Sequence, residues 1–71
     1  MEEQILVKCE TEEEIEAFRK WCKFQEVGTD AVRNKPTLYS FFHGEIMVHE
    51  MDEEEKFTIF GYMIVRPQVI N

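Results

Sequence analysis

The sequence predicts a two-layer α+β domain, with one helix packed on a mainly antiparallel sheet in the order strand, helix, strand, strand, strand. Three observations lead there. A short β-branched run occupies residues 4–9, a capped amphipathic stretch follows it, and from Thr37 the apolar period falls from about 3.6 to two. At 71 residues the chain suffices for one domain (1–71) with a thin core. Three Gly and two Pro are too few for a low-complexity or linker sequence.

The run Gln4-Ile5-Leu6-Val7-Lys8-Cys9 is too short for a stable helix, and as a strand it sets Ile5, Val7 and Cys9 on one face. Thr11 with Glu14 three residues later is a capping-box pattern, in which hydroxyl and carboxylate each satisfy an orphan backbone donor. Ile15, Phe18, Trp21 and Cys22 then form the apolar stripe of a helix, while Glu16, Arg19, Lys20 and Lys23 take the solvated side. Gly28 is the expected stop, and a connection of about a dozen residues leads to Pro36. Residues 37–42 and 45–51 read as a hairpin around His43-Gly44, with Gly44 at positive φ. A second turn over Asp52–Lys56 then leads into a final strand, Phe57–Val65.

A two-residue turn pairs Phe42 with Glu45, Phe41 with Ile46 and Tyr39 with Val48. That register puts Tyr39, Phe41, Ile46 and Val48 on the helix side, where Phe60, Tyr62 and Ile64 are expected to join them against Ile15, Phe18 and Trp21. The opposite face would carry Leu38, Met47, His49, Met51, Phe57, Ile59 and Met63. So much apolar surface calls for a cover, either residues 25–36 or a second chain in a homodimer.

Fifteen acids against eight bases leave a formal charge of −7, which repels nucleic acid and anionic lipid. Ten of those acids fall in two blocks: Glu10, Glu12, Glu13, Glu14 and Glu16, then Glu50, Asp52, Glu53, Glu54 and Glu55. Acids in a first helical turn interact well with the helix dipole, but five exceed what capping needs, and Glu12 with Glu16 is a like-charge i,i+4 pair. Around a turn, acids also keep a sheet edge from aggregating. The functional reading is that clustered carboxylates on rigid elements present charge as a phosphate backbone does. A right-handed crossover to a parallel strand would leave the blocks roughly 20 Å apart. A dozen extended residues reach roughly 40 Å, enough to bring both blocks to one end instead. Both arrangements fit the chain.

Other chemistries find little support. Cys9, Cys22, His43 and His49 lack the spacing of a zinc site, and Asp52–Glu55 lacks the alternating ligands and central glycine of a calcium loop. No nucleophile elbow, phosphate loop or zincin motif occurs, and the single serine, Ser40, falls within a predicted strand. Neither an enzyme nor a cofactor is expected. Met1-Glu2-Glu3-Gln4 shows no leader, and no apolar run approaches a membrane span, so a cytoplasmic protein is expected.

In size, acidity and its blocks Glu10–Glu16 and Glu50–Glu55, the chain resembles the small acidic host-takeover proteins of phages, in particular the Bacillus phage DNA mimics that inhibit the histone-like HU protein. The resemblance implies a non-enzymatic inhibitor in the host cytoplasm whose carboxylates occupy the DNA-binding surface of an HU-like protein, without binding nucleic acid itself. The bases Arg19, Lys20, Lys23, Arg33 and Lys35 in the middle of the chain depart from a uniformly negative surface. The alternative expectation is a protein-protein interaction or dimerisation module docking through the Met-rich sheet face.

Overall fold

A computed structural model describes residues 4–70 of the chain. The amino end Met1–Glu3, read above for a leader, and Asn71 lie outside the described residues. The fold is α+β: β1 (Ile5–Cys9), α1 (Glu12–Phe24), β2 (Thr37–Phe42), β3 (Glu45–His49), a 3₁₀ turn (Met51–Glu53), α2 (Glu54–Ile59) and β4 (Met63–Val65). The four strands form one sheet in the order β3-β2-β1-β4. β1 runs antiparallel to β2 and parallel to β4, and β2 runs antiparallel to β3.

The start of α1 follows the capping pattern. Thr11 Oγ1 accepts from the Glu14 amide at 3.1 Å, and the Glu14 carboxylate accepts from the Thr11 amide at 3.1 Å. Ile15, Phe18 and Cys22 are buried against Val7, Cys9 and Tyr39, with Val32 closing the cluster. Trp21, expected in the core, is 47% exposed; it lies at the rim against Phe18 and Phe41. The helix ends before Gly28. Glu26 takes φ 60°, its amide bonds to the Lys23 carbonyl, and the Val27 amide bonds to the Cys22 carbonyl. This is a Schellman closure with a glutamate where glycine is usual, and Val27 packs on the core beyond it.

The β2–β3 hairpin has the register read from its turn: Phe42 faces Glu45, Phe41 faces Ile46 and Tyr39 faces Val48. Both turn residues have positive φ, 51° at His43 and 78° at Gly44, the type I′ geometry that matches strand twist. Tyr39 is fully buried and its hydroxyl accepts from the Arg33 amide, which ties the 25–36 connection to β2.

The second hairpin does not form. Residues 54–59 are helical, Gly61 at φ 91° closes that helix with the same Schellman pair of bonds (Gly61 amide to Thr58, Tyr62 amide to Phe57), and only Met63–Val65 is strand. β4 therefore pairs with β1, not β3, and Ile64 lies beside Leu6 on the face away from α1. Residues 25–36, the cover expected from within the chain, do not lie on that face. The segment from Met51 to Tyr62 does, with Phe57 against His49 and Tyr62, leaving Leu6 and Leu38 fully buried. Val27 and Val32 of the 25–36 connection instead pack on the α1 side. Met51, Phe57 and Ile59 thus belong to the covering layer, and Met63 follows Ile5 onto the α1 side, so the expected Met-rich sheet face is not assembled. The physical reason is that a helix laid across Leu6 and Leu38 buries apolar area on the second face, which another coplanar strand cannot do.

Candidate functional site

The strand directions decide where the acids go. β1 and β3 both end at the edge of the sheet where β2 begins, and β4, parallel to β1, ends there too. Glu10–Glu16, which follow β1, and Glu50–Glu55, which follow β3, therefore share one end of the molecule. Lys8 marks the junction: its Nζ lies 3.7 Å from Glu10 Oε1 and 2.8 Å from Glu54 Oε1. Those carboxylates raise the Lys8 pKa, Glu54 most. Of the two arrangements open from the sequence, the fold has the single acidic pole.

Within the first block the carboxylates divide by task. Glu14 is only 7% exposed, and besides capping α1 it receives Arg66 through Nε at 2.7 Å and Nη2 at 2.9 Å. The Arg66 guanidinium, helped by the Glu10 and Thr11 amides, holds the Glu14 carboxyl down to about 2 despite its burial. Glu10 takes the remaining Arg66 nitrogen at 3.0 Å, and Glu16 pairs with Arg19 at 3.0 Å. Arg19 also reaches Asn34 and the Val32 carbonyl, pinning the 25–36 connection to the helix. Glu12 and Glu13 are exposed and carry no ion pair among the described residues.

The second block divides likewise. Glu50 pairs with Arg33 at 3.0 Å, which lowers its pKa, and Glu54 takes Lys8. Glu53 folds back on the Glu50 amide at 3.5 Å and approaches His49 Nδ1 at 3.8 Å. Asp52 and Glu55 are exposed, without ion pairs among the described residues. The pole therefore consists of carboxylates held by Lys8, Arg19, Arg33 and Arg66, surrounded by the open charges of Glu12, Glu13, Asp52 and Glu55. Two of the bases in the middle of the chain, Arg19 and Arg33, are taken up by this end and do not form a patch of their own. Sequence reasoning missed Lys8 and Arg66 as organisers of the pole; Arg66 stands 52 residues from its partner Glu14, and no local pattern signals such a pair.

One further constellation was not legible in the sequence. Ser40 Oγ lies 2.7 Å from His49 Nε2, and Glu53 stands 3.8 Å from the other imidazole nitrogen. The order hydroxyl, imidazole, carboxylate is that of a hydrolytic relay, but Ser40 is 8% exposed on a central strand. An apolar groove of about 490 Å³ lies elsewhere, between Trp21, Phe41 and Val65. The bond instead fastens β3 to β2 below Phe57. Cys9 and Cys22 are buried free thiols, the former pushed up to about 12 by burial and by Glu14. Among the described residues no group of three or more His, Cys, Asp or Glu side chains is placed to share a metal ion, and no helix is long and apolar enough to cross a membrane.

Comparison with protein-family models, with curated proteins and with solved structures finds no match to this chain.

Proposed function

We propose that the protein is a non-enzymatic DNA mimic that uses its acidic pole to occupy the basic DNA-binding surface of a nucleoid protein of the HU type and so excludes DNA. The observation that carries this reading is the convergence of both acidic blocks on one end of the sheet, joined through Lys8. Carboxylates neutralised within the chain hold the pole in shape, and Glu12, Glu13, Asp52 and Glu55 remain to meet the lysines and arginines of a partner. Preorganised charge of this kind raises association rates and suppresses wrong partners. The phage host-takeover resemblance points the same way.

The test is competition in a gel-shift assay. Stoichiometric protein should strip DNA from an HU-like protein and shift no duplex by itself. Two double reversals, Glu12→Lys with Glu13→Lys and Asp52→Lys with Glu55→Lys, should each weaken competition more than tenfold, since attractive contacts become repulsive. Glu26→Lys removes an acid at the far end of α1 and should leave competition nearly unchanged. Equal losses from Glu26→Lys and from reversals at the pole would reduce the effect to net charge and end the proposal. Binding should also fall steeply with salt, because screening shortens to about 3 Å at 1 M.

A further inference from the structure

β3 is an outer strand of the sheet, and its hairpin geometry decides which backbone groups remain open. Across a two-residue turn, Phe42 with Glu45 is a hydrogen-bonded pair, and by alternation so are Ser40 with Met47 and Leu38 with His49. The N–H and C=O groups of Ile46 and Val48 therefore point away from β2, and among the described residues no backbone group from a loop or helix bonds to them. Natural sheets blunt such an edge with lysine, proline, a bulge or a short strand. β4, at the other edge, is three residues long and is followed by Pro67. β3 has five residues, Glu45-Ile46-Met47-Val48-His49, with no lysine or proline, and Met47 and Val48 are 45% and 36% exposed.

We propose that β3 pairs antiparallel with β3 of a second copy of this chain, about a two-fold axis at Met47, joining two four-stranded sheets into one. The register follows from the open groups. With Ile46 facing Val48 of the second copy, and Val48 facing its Ile46, both pairs exchange N–H···O=C bonds. A shift of two residues either way leaves a single pair, Ile46 on Ile46 or Val48 on Val48. The full register also sets Glu45 across from His49 of the second copy at both ends of the interface. The ring of His49 is already partnered within its own chain, Nε2 by Ser40 at 2.7 Å and Nδ1 by Glu53 at 3.8 Å, so the register rests on the backbone pairs. An antiparallel pairing further directs the two acidic poles to opposite ends, so chains of charge −7 associate without opposing their carboxylate clusters. This inference stands independently of the DNA-mimic reading; if both hold, the dimer is bivalent.

The register pairs Met47 with itself, which makes the test specific. Sedimentation equilibrium from about 10 µM to about 1 mM, the range expected for a small interface, is run on wild type, on Met47→Lys, on Met47→Glu and on an equimolar mixture of the two variants. The expected result is a wild-type dimer at the upper concentrations, monomers for each variant through like-charge opposition, and a dimer again in the mixture, where Lys faces Glu. A monomeric wild type throughout, a dimer that survives in both variants, or variants that do not recover on mixing would each overturn the proposal. Should a variant fail to fold, amide exchange in the wild type decides: Ile46 and Val48 must become more protected as concentration rises, and exchange independent of concentration refutes the pairing. Loss of DNA competition with the dimer intact would count against the mimic alone.

Discussion

At its N-terminus α1 has Thr11 and Glu14 capping each other's amides at 3.1 Å and Arg66 clamping Glu14 from the end of β4. At its C-terminus the chain leaves through Glu26 in the left-handed region, a conformation that disfavours any residue with a Cβ, beside Phe24 at 83% exposure. α2 ends with the same pair of bonds but with Gly61 at the strained position. The two ends of α1 thus differ in how they are held: the end that carries the acids is tied by Thr11, Glu14 and the distant Arg66, and the end away from them carries a left-handed glutamate. A backbone held in this way fixes where the open carboxylates Glu12 and Glu13 start from, and less freedom is then lost when a partner arrives.

The comparison is broken most severely at Glu14. Glu14→Gln keeps the shape but removes the charge that Arg66 meets, and it should cost about 1.5–3 kcal/mol, the range for hydrogen bonds to charged groups. In a domain of this size that lowers the thermal midpoint by about 10–20 °C, measurable by circular dichroism. A loss no larger than that of an exposed acid such as Glu12→Gln would show that the clamp is incidental.

Acid titration tests the same end without mutation. Glu14 has its carboxyl held at about 2, below the ordinary 4.5, so its contribution is complete above pH 4.5 and is lost as pH falls towards 2. Glu50, lowered by Arg33, adds in the same direction. The thermal midpoint should therefore hold steady from neutrality to about pH 5 and fall between about 4.5 and 2. In Glu14→Gln that fall should be shallower, and an equal slope in both proteins would count against the clamp.

The smallest effect is a gain at the other end. Glu26→Gly relieves the left-handed glutamate and should stabilise the fold by about 0.5–1 kcal/mol, whereas Glu26→Ala, which keeps a Cβ, should not. Equal midpoints for the two variants would mean that the end of α1 stores no strain.

The elements that were legible beforehand are those specified by near neighbours. Thr11 and Glu14 mark the helix start, the Ile15, Phe18 and Cys22 stripe orients α1, and the two-residue turn determines every pair from Phe42–Glu45 to Tyr39–Val48. The run Phe57–Val65 misled because a short apolar run suits a strand and a helical turn packed on a sheet alike. A better signal was present: Glu53, Glu54 and Glu55 ahead of Lys56 are acids at a helix start, and Gly61 is a helix stop.

The sequence by itself determined local structure and total charge, because capping, turn geometry and side-chain period act over a few residues. Only the tertiary structure decided that β2 returns antiparallel to β1, that α2 covers Leu6 and Leu38, and that Glu14 meets Arg66 and Lys8 joins Glu10 to Glu54. Those outcomes depend on which distant surfaces bury the most apolar area together, a property of the assembled layers that no stretch of the chain carries alone. The acidic pole is one of them: the charges are written in two places, and strand direction brings them to the same end.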